Sequence, residues 1–178
     1  MNKGIVFDAP EMVDVIGPLI FLAGPIQGAP PWHNEAISIL HELDERVYIA
    51  SPCRRKTKLD RSSLSEPSKE FTSEMYNEQV DWETHYLNRA AEDGAIIFWL
   101  AKEERHVCTR AYAQTSRFEL GEWKERSRWI NAKLVVGIQK GFTNERYIRR
   151  RLAQDCPDIQ IADTLEDTCT TAIQLIHK

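Results

Sequence analysis

The sequence predicts an α/β protein, a three-layer sandwich around a mainly parallel sheet of five strands. Short apolar runs alternate with longer amphipathic runs along the chain, an alternation typical of β-α-β units. With 178 residues, the chain is long enough for one such domain with a sizeable core and too short for two ordinary domains. We therefore expect residues 1–178 to form a single domain.

The order of elements follows from the apolar patterns. The predicted strands are LIFLAG (19–24), VYIASP (47–52), GAIIFWLA (94–101), AKLVVGIQ (132–139) and DIQIAD (158–163). The predicted helices cover 30–46, 79–93, 115–128, 143–154 and 164–178. In the second helix, Val80, Tyr86, Leu87, Ala90 and Ala91 recur at helical spacing. This order places a helix between each pair of successive strands, as a parallel sheet requires, and a fifth helix after the last strand.

A polar segment separates the second strand from the second helix. It runs from Cys53 to about Glu78, and we expect it to be a long loop. Loops of this length in compact domains are usually functional or disordered, and one hypothesis is a lid that excludes water from a site. Unchanged turnover after deletion of residues 58–68 would contradict that hypothesis.

Composition and charge exclude several classes of protein. The net charge is −4 and the pI is about 5.8, so neither nucleic acid nor an anionic membrane is an expected partner. No apolar run approaches the roughly 20 residues of a membrane span. Acidic residues at 8, 11 and 14 speak against a signal peptide, and we expect a cytoplasmic protein. The four cysteines are scattered without ligand spacing, so we expect reduced thiols, no metal and no cofactor.

A doubly wound sheet binds its ligand outside the carboxyl ends of its strands, where the strand order reverses. Four segments follow those ends: GPIQG (24–28), SPCRR (51–55), 100–117 and IQKGFTN (138–144). The first of them is a glycine-containing turn whose backbone N–H groups would suit an anion or a sugar hydroxyl. It matches neither GxGxxG nor a P-loop. The alternative is a tight turn in which Gly24 only allows close packing.

Glu119 has two interpretations. Ser116-Arg117-Phe118-Glu119 fits the S-x-x-E capping box at the start of a helix, which alone would explain the residue. As a carboxylate in the first turn of a helix, Glu119 would also be held ionised, as a nucleophile must be. Glu122, one turn further on, is expected to have only a supporting role.

Two further carboxylates lie on the second predicted helix. Asp81 and His85 share one face, and Glu83 points elsewhere. Asp81 and Glu83 are either solvated surface groups or candidates for a general acid. The second alternative follows from their neighbours, because an apolar wall containing Trp82 and Tyr86 would raise the pKa of a carboxyl.

Taken together, the motifs resemble those of the nucleoside 2-deoxyribosyltransferase-like family. They are IFLAGPI (20–26) with Trp32 and EA (35–36) downstream, VDWETHYL (80–87) before DGAIIFWL (93–100), and FELGEW (118–123). The resemblance covers residues 20–123, and the chain from about residue 140 carries no motif of the family. It implies a flavodoxin-like fold and a substrate with an N-glycosidic bond.

The resemblance also implies roles for individual residues. Glu119 matches the glutamate that attacks the anomeric carbon, and Asp81 or Glu83 matches the acid that helps the base to leave. The expected substrate-binding residues are Phe21, Gly24, Pro25, Ile26, Gln27, Trp32, Ser116 and Arg117. The expected partner is a small nucleoside or nucleotide. Sites of the family are often completed by a neighbouring subunit, so we expect a homo-oligomer, with KGFTN (140–144) as a contact.

One departure from the family bears on the substrate. Members that hydrolyse 5′-monophosphates have a sequence similar to GSIRGG in the first loop, and Gln27 replaces that arginine here. This favours a free nucleoside, unless Arg54, Arg55 or Arg117 supplies the cation. The alternatives are a hydrolase of nucleoside monophosphates or NAD-like dinucleotides, and a non-catalytic nucleotide-binding or sensing module.

Overall fold

The structure is a computed structural model that describes residues 4–54 and 72–178. These residues form six strands and five helices, which alternate along the chain from β2 onward. The strands are β1 (Val6–Asp8), β2 (Leu19–Ala23), β3 (Tyr48–Ser51), β4 (Gly94–Leu100), β5 (Leu134–Ile138) and β6 (Ile161–Ala162). The helices are α1 (Trp32–Leu43), α2 (Ser73–Glu92), α3 (Gln114–Ile130), α4 (Glu145–Asp155) and α5 (Leu165–Ile176). The predicted α/β class is confirmed.

The strands form one sheet in the order β1-β3-β2-β4-β5-β6, and every neighbouring pair is parallel. Without the edge strand β1, this is the flavodoxin-like order 2-1-3-4-5. The strand order reverses between β2 and β4, so a ligand crevice is expected beyond the carboxyl ends of these two strands. The segments that follow β2 and β4 therefore flank the expected ligand site.

The predicted strand count of five is wrong by one, because β1 was missed. This edge strand has only three residues, of which one is fully buried. Strands are recognised from alternating or apolar runs of about 4–8 residues, and β1 is shorter than that. The central strands β2, β4 and β5 are buried at every position, which explains why their continuous apolar runs were recognised.

Helices cover both faces of the sheet and bury a separate core on each. One core packs α2, α3 and α4 against the sheet and includes Phe21, Trp82, Tyr86, Trp123 and Leu152. The other packs α1 and α5 against the opposite face and includes Trp32, Leu40, Trp99, Leu165 and Cys169. The three-layer α/β/α architecture follows, and Glu83 and Glu119 belong to helices of the same layer.

The second helix begins earlier than predicted. The α2 helix starts at Ser73, where the hydroxyl of Thr72 accepts a hydrogen bond from the backbone N–H of Met75 at 3.2 Å. Residues 73–78 are therefore helical, which corrects the predicted loop. Val80 is 41% exposed and does not join the core, contrary to its expected place. The proposed lid over 58–68 lies outside the described residues, and so does Arg55.

Two further features concern the predicted class of protein. No helix in the described ranges has both the length and the apolar character that a membrane span requires. No disulfide joins the four cysteines, three of which are buried and one of which, Cys108, is exposed.

Candidate active site

The segments that follow β2 and β4 are joined by backbone hydrogen bonds. The carbonyl of Gly28 accepts from the N–H groups of Glu104 and Arg105, at 2.8 and 3.1 Å. Nη2 of Arg110 donates to the carbonyl of Gln27 at 3.1 Å. These bonds hold the two walls of the crevice at a fixed separation, on either side of the point where strand order reverses.

Gly24 and Gly28 permit this close approach. Gly24 has φ +153°, and a Cβ there would lie 2.3 Å from the carbonyl oxygen of Trp99. Gly28 has φ +81°, and a Cβ there would lie 2.7 Å from the carbonyl oxygen of Arg105. Neither position accepts a side chain without movement of backbone. The close approach to the backbone of Trp99 thus agrees with the packing interpretation of Gly24.

The predicted capping box around Glu119 is wrong. The α3 helix begins at Gln114, after Ala113 in the left-handed conformation at φ 55°, and its N-cap makes no side-chain hydrogen bond. Ser116 is therefore the third helical residue and is buried, and Glu119 is the sixth. The local S-x-x-E pattern matched the motif, but the helix starts three residues too early for that motif to form. Ser116 and Glu119, three residues apart, lie on the same side of the helix.

Glu119 is not held ionised, contrary to the sequence-based expectation. Burial, together with the negative charges of Glu83 and Glu122, raises the pKa of its carboxyl to about 8. Glu119 lies beyond the first turn of α3, where the helix terminus gives a carboxylate little support. A carboxyl with this pKa is mostly protonated at pH 7.

Glu83 lies near Glu119 and has defined partners. Its burial raises the pKa of the carboxyl, as its apolar neighbours led us to expect, and a hydrogen bond from Gln79 and the charge of Arg54 oppose that rise. Nε2 of Gln79 donates to Oε1 of Glu83 at 2.7 Å and is also 2.8 Å from the carbonyl oxygen of Pro52. Nε of Arg54 donates to Oε1 of Gln79 at 2.7 Å. Glu83 is therefore held by a chain of hydrogen bonds that begins after β3.

The structure distinguishes the two acids of α2. Asp81 is exposed, on the side of the helix that faces away from the core, whereas Glu83 is half-buried and is coupled electrostatically to Glu119. Glu122, one turn beyond Glu119, is exposed and pairs with Arg126 at 3.1 Å. The carboxylates that come together are thus Glu83 and Glu119.

The predicted substrate-binding residues at the carboxyl end of β2 differ in exposure. Gly24, Ile26 and Gln27 lie at the carboxyl end of β2 and are partly exposed, and Pro25 is buried. Phe21 is buried in the sheet, with its ring centroid 6.0 Å from that of Trp82. It contributes to the apolar wall of the core on the side of α2 rather than to an open surface.

Trp32 lies on the other face of the sheet, which does not support its predicted place in the site. Its side chain is 2% exposed, and its indole N–H donates to the carbonyl of Pro25 at 2.9 Å. A cavity of about 340 Å³ adjoins it, lined also by Trp99, Gln139 and Thr164. Trp32 therefore supports the glycine-containing loop from behind and is remote from the carboxylates.

Arg117 is tied to the loop that follows β5. Its guanidinium lies 4.6 Å above the ring of Phe142, and Nη2 donates to the carbonyl of Thr143 at 3.0 Å. Burial lowers the pKa of this guanidinium. Its buried Nε has no hydrogen-bond partner within the described ranges. The KGFTN segment is thus packed against α3 of its own chain.

Sequence reasoning missed Gln79. Its spacing of four residues from Glu83 is the signal that would have found it, since such residues are neighbours on a helix surface. Among the described residues, no group of three or more His, Cys, Asp and Glu side chains is arranged to hold a metal ion. The titratable groups that the structure brings together at this site are the carboxyls of Glu83 and Glu119.

Neither a scan against models of protein families nor a search of curated proteins finds a match to this sequence.

Proposed function

We propose that this protein cleaves the N-glycosidic bond of nucleosides or deoxynucleosides, with Glu119 as the nucleophile and Glu83 as the general acid. The observation that carries the proposal is the coupled pair of half-buried carboxyls beside the crevice at the reversal of strand order. The resemblance of FELGEW and VDWETHYL to the deoxyribosyltransferase-like family supports the same roles. Asp81, which is exposed, is the weaker candidate for the acid.

A pair of buried carboxyls suits this reaction because it holds one proton and one charge over a range of pH. Like charges this close disfavour double ionisation, so the last proton leaves at a raised pH. Cleavage of a glycosidic bond requires both forms at once. The anion stabilises or attacks the oxocarbenium-like sugar, and the acid protonates the leaving base.

The proposed reaction has two steps. In the first, the Glu119 carboxylate bonds to the anomeric carbon while the C–N bond breaks, and Glu83 gives its proton to the leaving nitrogen. In the second, water or another base attacks the anomeric carbon and displaces the Glu119 carboxylate. The attacking molecule gives its proton to Glu83. Water gives hydrolysis, and a second base gives transfer of the sugar.

The proton of the pair lies on Glu119 in the free chain, since the pKa of that carboxyl is raised to about 8. Positive charge that develops at the anomeric carbon as the C–N bond breaks stabilises the Glu119 anion in the transition state. We expect the proton to pass to Glu83 as the substrate binds. Consequently, kcat/KM should fall above about pH 8, where the free pair loses its last proton.

In this proposal the sugar is bound by the segment 24–27 and by Ser116, and not by the buried side chains of Phe21 and Trp32. Gly24, Ile26 and Gln27 are partly exposed. Their backbone groups would donate hydrogen bonds to sugar hydroxyls or accept hydrogen bonds from them. The hydroxyl of Ser116 would do the same from the side of α3 that carries Glu119. The homo-oligomer and the cytoplasmic location remain expectations, and large exposed apolar side chains such as Phe118 and Trp129, 74% and 80% exposed, support an oligomer.

A nucleoside 5′-monophosphate or an NAD-like dinucleotide is the second candidate substrate. The half-buried Arg117 favours this candidate. Its guanidinium, on α3, is held over the ring of Phe142 and would bind the phosphate in place of the family's arginine, which is Gln27 here. Incubation with deoxynucleosides, their 5′-monophosphates and NAD, followed by chromatography of the released base, separates the two candidates. Binding of these ligands without release of base would instead indicate a non-catalytic module.

The first prediction concerns Glu119→Gln. This change keeps the shape of the side chain and removes the nucleophile, so base release should fall by at least about 10³-fold, as expected for the loss of a catalytic nucleophile. Glu122→Gln is the matched control on the same helix, and its rate should stay close to that of the wild type. Base release by Glu119→Gln at the wild-type rate would contradict the proposed role.

A further inference from the structure

We propose that Gln79 is a positioning residue that gives one amide hydrogen to Oε1 of Glu83 and thereby reserves Oε2 for the acidic proton. The inference rests on the function proposed above and concerns the same site. It starts from four hydrogen bonds. Three join Gln79 to Arg54, Pro52 and Glu83, and the fourth joins Arg54 to Met75.

Two independent partners determine the orientation of the Gln79 amide. Arg54 is only a donor, and its Nε lies 2.7 Å from one end of the amide, which must therefore be the oxygen. The carbonyl of Pro52 is only an acceptor, and it lies 2.8 Å from the other end, which must be the nitrogen. A flipped amide would lose both bonds and place like partners face to face.

The amide nitrogen has two hydrogens, and each has one acceptor. One points to Pro52, so the other points to Oε1 of Glu83, at 2.7 Å. An oxygen that already accepts this hydrogen bond is the poorer place for a proton. When Glu83 is protonated, its hydrogen is therefore on Oε2, and the direction in which it can be donated is fixed.

The arginine beneath Gln79 is itself held in place. Nη2 of Arg54 donates to the carbonyl of Met75 at 2.6 Å and lies 3.4 Å from Oε2 of Glu78. The first bond ties the segment after β3 to the first turn of α2, one turn before Gln79. The hydrogen bond from the Gln79 amide also stabilises the Glu83 anion that remains after the proton has been given to the base.

The test compares two substrates in Gln79→Met and in Gln79→Glu. Both variants retain the length of the side chain and lose the amide hydrogens, and the second keeps a partner for Arg54. One substrate is a deoxynucleoside, whose base needs a proton to leave, and the other is 4-nitrophenyl 2-deoxyriboside, whose leaving group does not. We expect kcat to fall by about 10- to 100-fold on the first and by less than about threefold on the second, since only the first uses general acid catalysis.

A purely structural role for Gln79 predicts equal losses on both substrates, and that result would overturn the inference. Glu78→Gln is the control on the same helix. It weakens the 3.4 Å contact with Arg54 and leaves the amide bonds of Gln79 in place, so both rates should be unchanged.

A titration separates this inference from the proposed function. Carboxyl ¹³C NMR should show a higher pKa for Glu83 in Gln79→Met than in the wild type, because the amide hydrogen bond lowers that pKa. An unchanged pKa would overturn the inference whether or not the protein is active. Absence of base release by the wild-type protein would instead refute the proposed function, and the titration would still decide the role of Gln79.

Discussion

Glu83 and Glu119 show how two identical side chains acquire different proton affinities from their surroundings. Burial raises the pKa of both carboxyls. For Glu83 this rise is opposed by the amide of Gln79 and by the charge of Arg54. For Glu119 it is reinforced by two other carboxylates, and within the described ranges no hydrogen bond or ion pair reaches its side chain. The pair therefore loses its first proton from Glu83.

Replacement of Glu83 tests this coupling directly. In Glu83→Gln, the pKa of Glu119 should fall below its wild-type value of about 8 and stay above the ordinary 4.5, because burial, the largest cause of the rise, remains. Carboxyl ¹³C NMR measures the change. Glu122→Gln, which removes an exposed charge, should produce a smaller fall. A pKa for Glu119 that is the same in Glu83→Gln and in the wild type would show that the two carboxyls are not coupled.

The start of a helix is the element that sequence patterns located least well in this protein. In α2, the first two turns are mostly exposed, so they carry little of the apolar periodicity by which a helix is recognised. In α3, a serine and a glutamate three residues apart imitate a capping box, yet a left-handed Ala113 begins the helix earlier. The α2 start is marked only by the cap of Thr72, which lies outside the apolar pattern, and the α3 start has no side-chain cap to mark it.

The glycines near the site differ in what they are needed for, and this gives a prediction for two elements. Gly24→Ala should destabilise the protein by more than about 1 kcal/mol, because the backbone of Trp99 must move to admit a Cβ. Gly121 lies in the exposed part of α3, and a Cβ there would meet nothing within 4 Å. Gly121→Ala should stabilise the protein by about 0.5–1 kcal/mol, the difference in helix propensity.

Urea unfolding measures both changes in stability. The rate of base release is measured on the same variants. Loss of activity in a stabilised Gly121→Ala would mean that the free space beside Glu122 receives a substrate or a partner subunit. Equal stability of Gly24→Ala and the wild type would contradict the assignment of Gly24 to a close backbone approach.

At the scale of the whole molecule, the order of layers was predictable and the contents of the site were only partly so. Buried strands such as β2 and β4 are continuous apolar runs, and the rule for the carboxyl ends of parallel strands located the crevice. The orientation of Glu83 depends instead on Arg54 and Pro52, which are 25 and 27 residues from Gln79 in sequence. No local pattern encodes such a contact. Trp32 was expected in the site for its sequence position, but the sheet lies between it and the carboxylates.

The buried carboxyl pair should also govern how the stability of the whole molecule depends on pH. Between about pH 4.5 and 8 the unfolded chain has Glu119 ionised, while the folded protein retains its proton. The folded state therefore binds more protons, and the free energy of unfolding falls as the pH rises through this window, by at most about 1.4 kcal/mol per pH unit. Asp44 and Asp155, whose pKa values are lowered, act in the opposite sense and only at more acidic pH.

Glu119→Gln removes this dependence because glutamine does not titrate. We expect the variant to be more stable than the wild type at pH 8, by on the order of a few kcal/mol, and close to it at pH 5. Urea unfolding at pH 5, 6, 7 and 8 measures the difference, with Glu122→Gln as the control that retains the wild-type slope. Parallel curves for Glu119→Gln and the wild type would contradict a raised pKa at Glu119. A stabilised and inactive variant would mean that the folded protein bears the cost of a buried carboxyl for the sake of its chemistry.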